Sequence, residues 1–132
     1  VSANTIRGIG VDAVSIERMN MDRMGSHVIA RMFHPKEVAE VQTIVAAKQS
    51  EYLASRFAAK EALVKALGTG FRGISPSQIA VITDDLGNPS IALDREVLLA
   101  HALDNTQIHV SITHEKSLAI AFVVLEASHG AE

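Results

Sequence analysis

Two carboxylates and an amine stand out in this 132-residue sequence because of their neighbours. Asp12 follows Gly8 and Gly10 at alternate positions, so on an extended strand the three share one face. Glu61 and Lys65 are four apart in a run of strong helix formers, and Ala54 and Ala58 continue the same helical stripe. With no side chains at Gly8 and Gly10, a helix with an alanine face can approach the strand closely and bring Glu61 to Asp12. Such a pair supplies hard oxygen ligands to Mg²⁺, which takes about six oxygens and leaves several to water and substrate phosphates. Lys65 adds a positive charge for the same phosphates. Gly68-Thr69-Gly70, just past the helix, offers flexible backbone for close approach. The chemistry expected of these residues is that of a phosphate ester.

Taken singly, each of these residues has an ordinary structural reading. A strand-end Asp caps turns, and a Glu and Lys four apart form a surface ion pair. Arg56 and Lys60 read as solvated helix charges, and His114 beside Glu115 as a turn histidine. Several other chemistries are excluded. Cysteine is absent, which removes thiolate metal sites and thiol catalysis. The six histidines form no two-histidine helical zinc motif, and no serine stands in a Gly-x-Ser-x-Gly elbow. The Gly-Thr-Gly segment lacks the Lys-Ser/Thr ending of a P-loop. A net charge of −3 and 4% aromatic residues leave neither a basic field nor stacking platforms for nucleic acid.

The elements that must position these groups follow from periodicity and punctuation. Residues 6–14 read as a strand, and Arg7, Ile9 and Val11 lie on the face opposite Asp12. Residues 15–24 read as a short helix capped by Ser15, with a second helix from Gly25 and Ser26 toward Phe33. Pro35 suits the first turn of a helix running toward Ile44. Residues 46–67 read as one long helix, anchored by an apolar stripe of Leu53, Phe57, Val64 and Leu67 and ended by Gly68. Residues 78–83 and 89–93 form a predicted hairpin, and Asp94 is expected to cap a helix to Leu103. A second hairpin joins 107–113 to 118–125, with Ile108, Val110 and Ile112 inward, and the tail beyond Glu126 is expected to fray. Helices early and strands late predict an α+β fold, in one domain covering residues 1–132. No apolar stretch reaches the roughly 20 residues a membrane helix needs, and no signal-peptide pattern opens the sequence, so the expected home is the cytoplasm.

Taken together, GIGVDAVSIERM (8–19), FHPKE (33–37), RFAAKEALVKALGTG (56–70) and SITHE (111–115) resemble the holo-acyl-carrier-protein synthase family, in order and in spacing. The resemblance implies a 4'-phosphopantetheinyl transferase-like fold, a mainly antiparallel sheet packed against a long central helix. It implies transfer of 4'-phosphopantetheine from coenzyme A to a serine of an apo acyl carrier protein, free or fused within a synthase, with release of adenosine 3',5'-bisphosphate. By that match Asp12 and Glu61 become the Mg²⁺ ligands, and Lys65 the residue nearest the transferring phosphate. Arg56, His114, Gly68, Thr69 and Gly70 map to segments around coenzyme A, and Arg18 to the carrier-docking helix. Glu61 and a metal-bound water are both open as acceptors of the serine proton.

The resemblance also implies a homotrimer with active sites between subunits. Arg18, Arg23 and Arg31 form a candidate docking patch for an acidic carrier. Two departures from the family pattern are Ala13, where a larger branched residue is common, and the Phe71-Arg72-Gly73 extension of the loop. The rival readings are a non-catalytic protein that binds coenzyme A or a nucleotide, and a metal-dependent phosphohydrolase.

Overall fold

The computed structural model describes residues 3–129. Strand β1 (Ala3–Ser15) opens the chain and is followed by a 3-10 turn at Ile16–Arg18 and helices α1 (Met21–Met32), α2 (Pro35–Val41) and α3 (Ala46–Leu67). The second half holds β2 (Ile79–Thr83), β3 (Pro89–Leu93), α4 (Arg95–Ala100), β4 (Thr106–His114) and β5 (Leu118–His129). This is the α+β arrangement expected. One antiparallel sheet has the order β1-β5-β4, and β2 pairs with β3 in a separate two-stranded sheet.

Helix α3 packs across the inner face of the three-stranded sheet. Its Leu53, Ala58, Ala62 and Leu63 have no exposed surface, and they meet Ala119, Ala121, Val123 and Leu125 in one core. Full burial of each leucine contributes about 2 kcal/mol. The anchoring stripe holds: Leu53 and Val64 are buried, Phe57 and Leu67 half-buried. Ile108, Val110 and Ile112 turn inward as expected but are only half-buried, because β4 is an edge strand of that sheet. The opposite face of the sheet is uncovered in the single chain, where Ile9 (62%), Val11 (54%) and Phe122 (44%) stand exposed.

Local chemistry moved several element ends. Ser15 stands at the N-cap of only the 3-10 turn Ile16–Arg18 and makes no side-chain cap bond, because β1 runs on to pair it with Leu118. Asn20 caps α1 instead, its side chain accepting from the Arg23 N–H. Gly25, at φ 78° and ψ 159°, breaks α1 where a second helix was expected to begin. Helix α2 stops at Val41 and not Ile44, since the N–H groups of Thr43 and Ile44 close tighter turns onto Glu40 and Val41. Helix α4 ends at Ala100, short of Leu103, because Ala102 adopts φ 54° and the Leu103 N–H returns to the Leu98 carbonyl at 2.7 Å. Asp94 precedes that helix without a side-chain cap bond. The tail does not fray at Glu126: Ala127, Ser128 and His129 pair with Thr5, Asn4 and Ala3, and residues 130–132 lie outside the described residues.

Candidate functional site

Asp12 reaches α3 because β1 lies against the helix backbone. A Cβ at Gly8 would fall 2.0 Å from the Ala66 carbonyl oxygen, and one at Gly10 would fall 2.0 Å from that of Ala62. The close approach is the one expected, but the alanines that meet the glycines are Ala62 and Ala66, not Ala54 and Ala58. Two residues on, Asp12 lies beside the turns of α3 from which Glu61 and Lys65 project. Lys65 Nζ donates to Asp12 Oδ1 at 2.7 Å and to the Val11 carbonyl at 3.1 Å. That ion pair is close but half in water, with the lysine side chain 55% exposed. The Asp12 charge raises the Lys65 pKa through a hydrogen bond and Coulomb attraction.

Glu61 shares this corner. Burial, a hydrogen bond with Asp12 and the Asp12 charge together push its pKa up to about 7, against the milder pull of Lys65 and Arg18. Burial and the neighbouring Asp12 carboxylate thus both favour the protonated form of Glu61. A divalent cation in the proton's place would relieve the same repulsion, so the donor set fits Mg²⁺ bound through two carboxylates and substrate phosphates. It does not fit a closed metal cage: among the described residues no cluster of three or more potential ligands gathers. The corner opens into a groove of about 420 Å³ lined by Arg18, Met19, Met24, Val28, Met32 and Phe57. One end of the groove is therefore charged and the rest apolar and adaptable.

Arg56 and His114 are elsewhere. They line a second cleft of about 560 Å³, between α2, α3, the β2–β3 hairpin and the end of β4. The Arg56 guanidinium lies 3.9 Å over the Tyr52 ring, donates to Thr83 Oγ1 at 2.7 Å and stands 3.8 Å from Glu40. Tyr52 Oη donates to Glu40 Oε1 at 2.5 Å, and burial and this bond together raise the phenol's pKa. Among the described residues Arg56 Nε is buried without a hydrogen-bond partner, an unmet donor in the cation that lines the cleft. His114 Nδ1 lies 2.8 Å from Glu51 Oε1, on the rim of the cleft. No lining residue is common to the cleft and the carboxylate groove.

The remaining expectations divide. Gly68 caps α3 at φ 79°, and the amides of Gly68, Thr69 and Gly70 all turn back onto the Val64 carbonyl at 3.1 to 3.3 Å. These residues line neither cavity. Arg18 lines the groove, Arg23 donates to the Glu17 carbonyl at 2.6 Å, and Arg31 is exposed on α1. Lys60 is not a solvated charge: its side chain has 0% exposure and pairs with Glu37 at 2.6 Å. Sequence reasoning also passed over Tyr52, Thr83 and Glu40. The i, i+4 spacing of Tyr52 and Arg56 was a usable signal for the stacked pair, whereas Thr83 comes from a distant strand and left none.

Comparison with known proteins agrees over nearly the whole chain. The pattern of the 4'-phosphopantetheinyl transferase superfamily matches residues 8–123. A holo-[acyl-carrier-protein] synthase of Clostridium acetobutylicum is 40% identical over 124 residues, covering 92% of this chain and 98% of that protein. A Bacillus anthracis holo-(acyl-carrier-protein) synthase, solved in complex with CoA (3',5'-ADP), superposes with a TM-score of 0.78 at 33% identity, covering 92% of this chain and 97% of that one. The Helicobacter pylori holo-[acyl-carrier-protein] synthase in complex with coenzyme A gives a TM-score of 0.72 at 30% identity, covering 89% and 98%.

Proposed function

The chain belongs to the 4'-phosphopantetheinyl transferase superfamily, and we propose that its Asp12–Glu61–Lys65 corner and its Arg56–His114 cleft serve the two ends of one coenzyme A site. The reaction is transfer of the 4'-phosphopantetheine group from coenzyme A to a serine of an apo acyl carrier protein, leaving adenosine 3',5'-bisphosphate. The observation that carries the assignment is the meeting of Asp12 on β1 with Lys65 on α3 at 2.7 Å, one helical turn from the Glu61 carboxyl.

Asp12 and Glu61 would hold Mg²⁺, which when bound neutralises charge on the pyrophosphate of coenzyme A. Lys65, fixed by Asp12 and the Val11 carbonyl, places an ammonium where charge builds on the phosphate oxygens. Glu61 is the acceptor this chain offers for the serine proton. Arg56 and His114, which line the cleft, receive the anionic nucleotide end there. The groove of Met19, Met24, Met32 and Phe57 takes the apolar length of the pantetheine arm. Arg18, Arg23 and Arg31 face the acidic carrier protein.

The assembly is a homotrimer with sites between subunits. Two features support it: the uncovered apolar sheet face of Ile9, Val11 and Phe122, and the separation of the two cavities within one chain. The chain acts as one domain with α3 as its central helix, in the cytoplasm. Among the described residues no helix is long and apolar enough to cross a membrane. The deciding assay mixes protein, coenzyme A, Mg²⁺ and apo carrier and follows the carrier's mass. A gain of one phosphopantetheine is expected. Hydrolysed coenzyme A with unmodified carrier would instead mean a phosphohydrolase, and no change a binding protein.

A further inference from the structure

Among the described residues strand β2 pairs only with β3, so its other edge must find partners elsewhere. A buried ion pair supplies them. Lys60 Nζ donates to Glu37 Oε1 at 2.6 Å, to the Pro76 carbonyl at 3.0 Å and to the Ile79 carbonyl at the start of β2. Glu37 Oε2 accepts the Val81 N–H at 2.9 Å, and Oε1 accepts the His34 N–H at 2.9 Å. Both side chains are essentially sealed from solvent, at 0% and 2% exposure. All three ammonium protons are used, and every partner of the carboxylate is a donor. The pair thus stands in for a neighbouring strand at Ile79 and Val81. Two residues further along the same strand, Thr83 holds the Arg56 guanidinium at 2.7 Å.

We infer that Glu37 and Lys60 are positioning residues: they fix β2 against α3 so that Thr83 aims Arg56 into the cleft. The inference rests on the cleft's being the anionic end of the coenzyme A site. A carboxylate is required at position 37, because an amide would turn its own donor toward Lys60 or toward the Val81 N–H. Neither residue touches substrate, so their loss should appear in coenzyme binding more than in turnover.

The test varies Glu37 and Thr83, leaving Lys60 intact because it adjoins Glu61. Calorimetric binding of adenosine 3',5'-bisphosphate to the whole protein is read beside KM for coenzyme A and kcat. Thr83→Val, on an exposed strand position, is expected to weaken binding about fivefold to tenfold, and Glu37→Gln by a similar factor, each raising KM more than it lowers kcat. In the double variant the two effects should fail to add, since both act through Arg56. Full additivity, or a Glu37→Gln protein that melts lower with unchanged binding, would overturn the inference. So would a Thr83→Val protein that binds normally, and this arm stands whether or not Glu37→Gln folds well. Arg56→Ala separates the two levels. If it weakens binding and the other variants do not, only the positioning role is lost; if it has no effect, the reading of the cleft falls first.

Discussion

Gly10 is where β1 touches the backbone of α3: a Cβ there would lie 2.0 Å from the Ala62 carbonyl oxygen and 2.7 Å from the Ala66 amide nitrogen. Backbone cannot yield as a flexible side-chain end can, so Gly10→Ala must push strand and helix apart. It is expected to cost about 3 kcal/mol or more. Gly68→Ala is the control, since Gly68 has φ +79° but nothing within 4 Å of an added methyl group, and it should cost only about 1 kcal/mol in backbone strain. Urea denaturation of both variants checks the contrast. The same displacement would carry Asp12 away from Glu61.

The shifted carboxyl predicts how stability depends on pH. Glu61 titrates near pH 7 when folded, against an ordinary value of 4.5. Between these values the folded state holds a proton that the unfolded state has released. Stability is therefore greatest below about pH 4.5 as far as this group is concerned, falls as pH rises toward 7 and levels off above it. Urea midpoints in chelator should show this decline, and Glu61→Gln should flatten it. Mg²⁺ competes with the same proton, so its affinity, read by calorimetry, should rise through pH 6 to 8 in the wild type. A wild-type profile as flat as that of Glu61→Gln would sink the assignment.

How much of this could be read from the sequence depended on the range of the signal. The Asp12–Glu61–Lys65 corner was legible because strand alternation and helical spacing are local, and the glycines announced a close approach. The alanines that meet them were misidentified, since a helix presents several small residues and only the crossing geometry selects Ala62 and Ala66. Lys60 looked like surface because its partner Glu37 lies on another helix and its remaining acceptors on a loop and a strand. Charges buried through tertiary pairing leave no periodic trace.

The Glu37–Lys60 pair also makes a stability prediction. Lys60→Met leaves a buried carboxylate without its cation and the Pro76 and Ile79 carbonyls without a donor, and is expected to cost about 3 to 5 kcal/mol. For an isolated buried pair, an apolar double replacement recovers much of such a loss. Here it should not. The pair also satisfies the His34 and Val81 N–H groups and those two carbonyls, so Glu37→Leu with Lys60→Met would orphan all of them. Denaturant midpoints showing the double variant restored to wild-type stability would mean that those backbone groups find other partners.

The most searching prediction concerns the assembly. Arg56 and Glu61 are five residues apart on α3, so their side chains leave the helix about 140° apart, and they open into cavities with no lining residue in common. In the proposed assembly, one coenzyme site draws the two from neighbouring chains. Arg56→Ala and Glu61→Ala should each be nearly inactive alone. Co-expressed in equal amounts, they should recover about one quarter of wild-type activity, the chance that an interface pairs an intact carboxylate corner with an intact cleft. Phe122→Asp, placing a charge on the exposed apolar sheet face, should abolish that recovery and sediment as a monomer where the wild type is expected to sediment as a trimer. If the mixed assembly forms and stays inactive, each site belongs to a single chain, and the carboxylate corner and the cleft must then be joined by a coenzyme that reaches around α3 instead of across an interface.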